Sequence, residues 1–327
     1  MSEKIVVTGG AGFIGSALVW KLNQMGEDDI LIVDSLDSGD KWRNLAGLRF
    51  ADYLEKDDFL QLVTAEKLPD SVEMIFHFGA CSSTTEADMR YLMKNNYEYS
   101  KSLAAHALRA GVRFMYASSA ATYGDGSGGY IDDESAIGGL RPLNGYGFFK
   151  HLFDLHARRE GWLDRITGLK FFNVFGPNEY HKGSMRSMVC KGYEQIRAKG
   201  KINLFHSYRE GYLDGEQERD FIYVKDAVEM VVFLYGQPEL HGLFNIGSGT
   251  GRTWNELAAA LFNVMQIRRQ IQYVPIPEEI RETYQYHTRA EMEKLRRAGY
   301  EKVVTPLPEA VADYVTEYLI PGRYLSN

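Results

Sequence analysis

Short apolar runs alternate with amphipathic stretches through the first half of the chain. Residues 4–8 and 29–34 are nearly continuous aliphatic runs, and residues 11–25 between them carry apolar side chains at helical spacing. Continuous apolar runs are typical of parallel strands that helices cover on both faces. This part of the chain therefore predicts a strand, a helix and a second, parallel strand.

The same alternation continues to about residue 175. Apolar strands are predicted at 74–78, 114–118 and 168–172, and helices at 87–110 and 145–160. Such an alternation predicts an α/β fold built on a doubly wound parallel sheet of the Rossmann type. We expect residues 1–175 to form this domain.

Beyond residue 175 the strict alternation weakens. Strands are predicted at 220–224 and 243–246, and helices at 184–199, 253–265 and 290–298. We expect residues 176–327 to form mainly a smaller, mixed α/β substrate-binding lobe, with some strands returning to the Rossmann sheet. Residues 206–218, which contain glycines and many charged side chains, are predicted to form a mobile surface loop.

Composition and charge argue against several kinds of function. The net charge of -7 argues against binding nucleic acid through a general basic face. The two cysteines, Cys81 and Cys190, do not indicate a secreted disulfide framework, and they form no metal-ligand spacing with the eight histidines. The N-terminus shows no signal-peptide pattern, and no apolar run reaches the ~20 residues of a membrane span. We therefore expect a cytoplasmic protein with no metal site and no nucleic-acid or membrane partner.

A glycine series stands between the first strand and the first helix. Gly9, Gly12 and Gly15 form a G-x-x-G-x-x-G pattern, and Asp34 ends the second strand. Glycines at this place let the backbone approach a pyrophosphate at a helix N-terminus, and the carboxylate can bind the adenine ribose. Because both features occur in the required order, the sequence predicts a dinucleotide site.

The choice between NAD and NADP depends on nearby cations. Asp34 alone would repel a 2′-phosphate, but Lys41 and Arg43 follow it closely and Lys56 precedes the next element. These cations favour NADP. The alternative is that they are ordinary solvated surface charges.

Tyr146 and Lys150 form a Y-x-x-x-K spacing on a predicted helix, so that both side chains lie on one helical face. A lysine ammonium beside the phenol is expected to lower the tyrosine pKa and give a proton shuttle near neutral pH. Ser118 and Ser119 end a predicted strand, at the edge where parallel sheets bind ligands. The alternative for the tyrosine is a packing role.

These motifs resemble the extended short-chain dehydrogenase/reductases. The resemblance is carried by Gly9–Gly15, by Ala117–Gly124 and by the pair Tyr146 and Lys150. The chain is most similar to the ADP-heptose 6-epimerase branch, through Gly79–Glu86, Asn95–Tyr97, Phe171–Pro177 and His181–Met185.

The resemblance implies an activity and an assembly. It implies epimerisation at C6″ of ADP-D-glycero-β-D-manno-heptose by transient oxidation with one tightly bound NADP per subunit. The product would serve synthesis of the lipopolysaccharide core. A homo-oligomer, in that branch a homopentamer, is also implied.

The resemblance further implies the roles of individual residues. The catalytic residues would be Ser119, Tyr146, Lys150 and Lys182. Substrate contacts would come from Ser119, Asn173, Lys182, Ser184, Lys191, Phe205, Arg219 and Tyr284, with Arg219 binding a phosphate. Cofactor contacts would come from Gly9, Gly12, Phe13, Ile14, Gly15, Asp34, Ser35, Lys41, Lys56, Gly79, Ala80, Cys81, Ser82, Asn95, Tyr146, Lys150 and Val174.

Three departures from that branch keep other functions open. Residues 206–218 are longer than the corresponding segment, Phe78 replaces a polar residue, and Lys191 replaces a histidine. The alternatives are an epimerase or dehydratase of a GDP- or UDP-linked sugar, and a non-catalytic NADP-binding regulator. A dehydratase is disfavoured because Ser119–Thr122 lacks the Thr-Asp-Glu series of such enzymes.

Overall fold

The computed structural model describes residues 4–326, which form twelve strands and eleven α-helices. The strands are β1 (Ile5–Thr8), β2 (Ile30–Asp34), β3 (Asp52–Glu55), β4 (Met74–His77), β5 (Arg113–Ser119), β6 (Thr167–Phe171), β7 (Asn173–Phe175), β8 (Ile202–Phe205), β9 (Glu218–Tyr223), β10 (Gly242–Ile246), β11 (Gly251–Thr253) and β12 (Ile271–Val274). The helices are α1 (Phe13–Gln24), α2 (Lys56–Thr64), α3 (Met89–Leu92), α4 (Tyr99–Ala110), α5 (Gly145–Arg159), α6 (Met188–Lys199), α7 (Val224–Tyr235), α8 (Trp254–Met265), α9 (Glu278–Arg281), α10 (Glu293–Arg297) and α11 (Leu307–Asp313).

Seven strands form the central sheet, in the order β10-β6-β5-β4-β1-β2-β3. Every neighbouring pair in this sheet is parallel. The strand order reverses at β1, which lies between β2 and β4, and parallel sheets bind ligands at such a switch point. The doubly wound fold predicted from the sequence is confirmed.

The core follows directly from the apolar runs. All residues of β1, β2, β4, β6 and β10 are buried, because helices cover both faces of the sheet. Strand β10 comes from the second half of the chain and forms one edge of the sheet. Within residues 4–326, no helix combines the length and apolar character that crossing a membrane requires.

Two smaller sheets lie beyond the central one. Strands β11, β9 and β7 form the first, and β12 pairs in parallel with β8 in the second. Only Phe172 separates β6 from β7, so the chain passes from the central sheet straight into the smaller one. This short connection brings Asn173 and Val174 close to the carboxyl edge of the Rossmann sheet.

Some predicted elements have different bounds in the structure. The helix expected from residue 184 begins at Met188, because Tyr180–Met185 forms a 3-10 turn and the Ser187 hydroxyl caps α6. The helix expected at 290–298 is limited to α10, and the one at 87–110 contains a π-helical segment at Met93–Glu98. Residues 206–217 form a loop tied by hydrogen bonds from His206 Nδ1 and Ser207 N to the Asp214 carboxylate, at 2.8 and 2.7 Å.

Candidate active site

The glycine-rich turn brings three strand ends together. Gly9 has φ +70°, and a Cβ at this position would lie 2.5 Å from the backbone nitrogen of Gly79, so only glycine fits between β1 and β4. The Ala11 backbone N–H donates to Asp34 Oδ2 at 2.9 Å and joins the turn to the end of β2. The N-terminus of α1 therefore opens onto a cleft at the switch point of the sheet.

This cleft is a cavity of about 500 Å³. Its walls include most of the expected cofactor-binding residues: Gly9, Gly12, Phe13, Ile14, Gly15, Asp34, Ser35, Lys41, Gly79, Ala80, Cys81 and Ser82. Lys56 and Asn95 line a smaller adjoining cavity of about 130 Å³, together with Asp34 and Lys41. A nicotinamide dinucleotide fits this set. The glycine turn and the N-terminus of α1 can bind its pyrophosphate, and Asp34 and Lys41 lie beside them at the end of β2, where the adenine ribose binds in such folds.

Both oxygens of the Asp34 carboxylate accept hydrogen bonds within the protein. Its Oδ1 accepts a hydrogen bond from Ser35 N at 2.7 Å and forms an ion pair with Lys41 Nζ. Lys41 also donates to the Ser35 carbonyl at 3.1 Å, from the 3-10 turn Asp40–Asn44. The acid expected at the ribose and the cation expected at a phosphate are thus direct neighbours.

Ser119 and Tyr146 line a second cavity of about 430 Å³. The Asn144 side chain caps α5 by accepting from Gly147 N at 2.8 Å, which fixes the first turn that carries Tyr146. One turn later Lys150 is buried, and its Nζ donates to the Ala117 carbonyl at 2.7 Å. The serine, tyrosine and lysine of the sequence motif therefore meet where α5 crosses the end of β5.

Burial dominates the electrostatics of this group. It lowers the pKa of Lys150 to about 8, against the opposing effect of the Asp154 carboxylate. It raises the pKa of Tyr146, although a hydrogen bond with Ser119 acts in the opposite direction. The expectation that Lys150 lowers the tyrosine pKa is wrong for the protein alone, because the ammonium is directed to a carbonyl and desolvation of the phenolate prevails.

Lys182 lies on the wall shared by the two cavities. It belongs to the 3-10 turn Tyr180–Met185, which bends at Gly183 with φ +54°, and its Nζ lies 5.5 Å from the centre of the Phe13 ring. Burial lowers the pKa of Lys182, while the Glu179 carboxylate acts to raise it. A second group that can exchange a proton therefore lines the same cavity as Tyr146.

A buried asparagine connects this turn to the glycine loop. Asn44 Nδ2 lies 2.9 Å from the Ala11 carbonyl, 3.0 Å from the Asn178 carbonyl and 3.2 Å from His181 Nδ1. Burial, with Lys41 and Lys182 nearby, lowers the pKa of His181 to about 4, so the imidazole is neutral. No motif or spacing in the sequence points to this asparagine.

Arg219 is held between two aromatic rings. Its guanidinium carbon lies 5.6 Å from the Trp254 ring and 5.0 Å from the Tyr284 ring, and Trp254 Nε1 donates to the Tyr284 hydroxyl at 3.0 Å. None of the ion pairs within residues 4–326 includes Arg219, and burial lowers its pKa. A buried cation without a carboxylate partner is suited to an anionic ligand.

The remaining substrate-side residues surround a third cavity of about 330 Å³, which is lined by Asn173, Val174, Lys191, Phe205 and Tyr284 among others. Val174, expected at the cofactor, lines this cavity and the 430 Å³ one instead. Ser184 is exposed and lines none of these cavities, although its carbonyl accepts from Lys191 at 3.2 Å. Met185, which sequence reasoning missed, borders all three large cavities.

Trp254 was also missed, because its position after the Thr253 cap of α8 gives no sign of a binding role. Among the side chains of residues 4–326, no group of three or more His, Cys, Asp or Glu is arranged to bind a metal ion.

Comparison with known proteins agrees with this arrangement. Residues 5–247 match the NAD-dependent epimerase/dehydratase family. An ADP-L-glycero-D-manno-heptose-6-epimerase of Nitratidesulfovibrio vulgaris is 52% identical over 96% of this chain and 97% of its own length. One of Fusobacterium nucleatum is 44% identical over 96% and 98%.

Solved structures give the same result. The Helicobacter pylori ADP-L-glycero-D-manno-heptose-6-epimerase superposes with a TM-score of 0.78 at 27% identity, covering 97% of this chain and 96% of that one. A UDP-N-acetylglucosamine 4-epimerase from Methanobrevibacter ruminantium, at 23% identity and a TM-score of 0.82, shares the fold over 98% of this chain and 99% of its own. The chain belongs to the NAD-dependent epimerase/dehydratase family.

Proposed function

We propose that the chain epimerises ADP-D-glycero-β-D-manno-heptose at C6″, giving the L-glycero epimer. The observation that carries the proposal is that two proton-exchanging groups, Tyr146 and Lys182, line one cavity beside the cofactor cleft. Relatives that match nearly the whole chain are named for this reaction.

The residues of the cleft would hold the cofactor. The glycine turn and the N-terminus of α1 would bind the pyrophosphate, and Asp34 and Lys41 would bind the adenine ribose and its substituent. When bound, the nicotinamide supplies reversible acceptance of a hydride from the sugar carbon. Lys150, next to the Ala117 carbonyl, would hold the nicotinamide ribose.

The proton chemistry requires two different groups. Oxidation of the C6″ hydroxyl to a carbonyl transfers the carbon-bound hydrogen as a hydride and releases the hydroxyl proton to a base. Return of the hydride to the opposite face requires a proton donor on the carbonyl oxygen. Because burial raises the pKa of Tyr146 and lowers that of Lys182, the first favours the donor form and the second favours the acceptor form.

Recognition of the nucleotide part would fall to the other end of the site. Arg219, between Trp254 and Tyr284, would bind the diphosphate, and the cavity with Phe205 and Lys191 would take the base. No carboxylate is found among the described side chains that line the reaction cavity. That lining supports an epimerase over a dehydratase, since loss of water from the sugar requires an additional acid.

The proposal extends to NADP, tightly bound at one per subunit, as the cofactor. Lys41 and Lys56 border the ribose end of the cleft, where their charges would pair with a 2′-phosphate. Titration calorimetry of cofactor-free protein should show tighter binding of NADP than of NAD. Lys41→Ala should remove roughly tenfold of this preference, and the exposed-lysine variant Lys67→Ala should keep it. Equal affinities in the wild type would overturn the choice of NADP.

The organisation of the protein forms part of the same proposal. Residues up to 175 would act as the cofactor domain, and residues 176–327 mainly as the substrate lobe, although β10 lies in the central sheet. The extreme bounds of this division, residues 1–3 and 327, lie outside the described residues. The resemblance to the epimerase branch supports a cytoplasmic homopentamer that supplies heptose for the lipopolysaccharide core.

The direct test is incubation with ADP-D-glycero-D-manno-heptose without added cofactor, followed by NMR at C6″. An equilibrium mixture of both epimers is expected from the wild type and from Tyr235→Phe, whose tyrosine borders none of the cavities of the site. Tyr146→Phe should abolish conversion. Absence of conversion by protein that contains NADP would refute the ADP-heptose assignment, and GDP- and UDP-linked sugars would then be tested.

A further inference from the structure

A fully buried ion pair lies behind the candidate catalytic residues. Lys170 Nζ of β6 is 2.7 Å from Asp154 Oδ2 of α5, and both side chains have no exposed surface. Neither residue lines the cofactor or substrate cavities. Asp154 follows Lys150 by one helical turn, so both project from the same face of α5.

The pair is bonded to the strand that ends in Ser119. Asp154 accepts hydrogen bonds from the Tyr116 hydroxyl at 2.9 Å and from the Ser118 hydroxyl at 2.8 Å. Lys150 donates to the carbonyl of the intervening residue, Ala117. Three consecutive residues of β5 are thus hydrogen-bonded to Asp154 and Lys150 on one face of α5.

Lys170 extends the network to the turn after β5. Its Nζ donates to Thr122 Oγ1 at 2.6 Å, and the Thr122 hydroxyl donates to the Ser119 carbonyl at 2.8 Å. The ammonium also lies 4.9 Å from the Tyr123 ring. The ion pair thus contacts the chain before and after Ser119: Asp154 accepts from Ser118, and Lys170 donates to Thr122.

Stability alone gives a weak reason for such a pair. Desolvation of two charges offsets much of their attraction, and apolar replacements of both partners are often as stable. A buried network with every partner satisfied does, however, define one geometry.

We propose that Asp154 and Lys170 are positioning residues of the reaction: they hold Ser119, Tyr146 and Lys150 in register and set the electrostatic surroundings of the catalytic lysine. This inference rests on the oxidation chemistry of the proposed function and is independent of which sugar is the substrate. Neither residue borders the cavities that would hold substrate and cofactor.

The charges around the lysine give the direction of the effect. Asp154 and Cys81 act to raise the pKa of Lys150. The charge of Lys150 in turn adds to the effect of burial in lowering the pKa of His77 on β4. Burial raises the pKa of Tyr146, as do the charges of Cys81 and Asp154, whereas the hydrogen bond with Ser119 acts to lower it. Asp154 itself faces Tyr116, Lys170 and His151. Removing the carboxylate charge should therefore lower the pKa of Lys150 further.

The first experiment compares Asp154→Asn, Lys170→Met and the double variant. Each single change leaves an unpaired buried group and should lower the unfolding midpoint, whereas the double change should restore much of it. The kcat of the double variant should stay at least tenfold below the wild type with little change in KM. Wild-type kcat in a stable double variant would overturn the proposal.

The second measurement needs no substrate. Lysine 15Nζ NMR, with the Lys150 signal assigned by its loss in Lys150→Met, should show its titration midpoint roughly one pH unit lower in Asp154→Asn. The control Asp226→Asn removes a different carboxylate, which is only partly buried and accepts hydrogen bonds from Thr305 in another part of the fold, and should leave the midpoint unchanged. An unchanged midpoint in Asp154→Asn would refute the electrostatic role.

These results separate the two proposals. Wild-type protein that converts no nucleotide sugar would refute the proposed function, while the titration of Lys150 would still decide the role of Asp154. If the double variant does not fold, Ser118→Ala removes only one bond of the network, and its kcat should fall with KM unchanged. A Ser118→Ala variant with wild-type kcat would then count against positioning.

Discussion

Lys150 and Lys182, the two candidate catalytic lysines, are held by different kinds of structure. Lys150 lies in the middle of α5, and its neighbours in the site come from the same helix and the adjacent strand β5. Lys182 lies in an irregular turn that bends at Gly183, and its surroundings come from distant parts of the chain.

The turn of Lys182 depends on contacts over long sequence separations. The side chain of Asn44, three residues after Lys41, donates to the carbonyl of Asn178 at 3.0 Å. The Asn178 side chain bonds both Ser16 in α1 and the backbone of Leu325. The Lys150 region is therefore built on a regular helix packed against a strand, whereas the Lys182 region is completed only when the cofactor loop and the C-terminal segment pack against an irregular turn.

The comparison predicts a large effect of Lys182→Met on catalysis. Turnover should fall by about 10³-fold, or about 4 kcal/mol in the barrier, since one of two proton-exchanging groups is lost. Single-turnover reduction of the bound cofactor from each epimer would show which direction is impaired. Lys191→Met, a lysine that borders only the nucleotide cavity, should raise KM without this loss. Turnover of Lys182→Met above a tenth of the wild type would contradict the role.

A pH effect should identify the buried lysine. Because the pKa of Lys150 is about 8 in the folded protein and 10.5 in the unfolded chain, the unfolded state binds more protons between these values. Relative to Lys150→Met, wild-type stability should therefore rise by roughly 3 kcal/mol as the pH increases through this window. Urea unfolding of the cofactor-free proteins at several pH values measures this difference. A difference that does not vary with pH would show that Lys150 is not desolvated.

Asn44→Ala tests the long-range support of the other lysine. Loss of the amide leaves buried carbonyl acceptors at Ala11 and Asn178 unpaired, which should cost roughly 2 kcal/mol of unfolding free energy and reduce turnover. The control is Asn23→Ala, where the amide also donates to two carbonyls but lies at the end of α1. Unaltered turnover in Asn44→Ala would mean that Lys182 is placed without this contact.

Gly183→Ala should have the smallest effect. No atom beyond its chain neighbours lies within 4 Å of a Cβ at this position, so the cost arises only from the backbone conformation, with φ +54° and ψ -123°, and should be on the order of 1 kcal/mol. The control Gly26→Ala also places a Cβ at a positive φ, +91°, in open surroundings. Equal melting temperatures with reduced turnover only in Gly183→Ala would show that the bend itself positions Lys182; equal turnover in both would contradict this.

The sequence predicted the regular part of the site well. The periodicity of apolar residues was sufficient to predict β1, α1 and β2, and the order of the glycines and Asp34 was sufficient to predict the dinucleotide turn, because each of these features is local. The spacing of Tyr146 and Lys150 placed both side chains on α5, and Ser119 indeed ends β5. Short elements such as β3, β7 and β11 were missed, because they are mostly exposed or half-buried and lack the continuous buried apolar run that identifies the equally short β1 and β4.

Asp154 shows what could have been recognised and what could not. Its position four residues after Lys150 places it on the same helical face, yet its partner Lys170 belongs to another strand. Trp254 and Asn44 are brought to the site only by the packing of distant segments, so no spacing of residues in the sequence predicts their role.

The sequence by itself determined the doubly wound sheet, the dinucleotide turn and the helix that carries Tyr146 and Lys150. The periodicity of apolar residues and the placement of glycines decide these features, and both act over a few residues. Only the tertiary structure decided that Lys150 donates to the Ala117 carbonyl, that Lys41 pairs with Asp34 and that Lys182 faces both cavities. Desolvation and long-range hydrogen bonds set these properties, and both depend on which segments of the folded chain exclude water from one another.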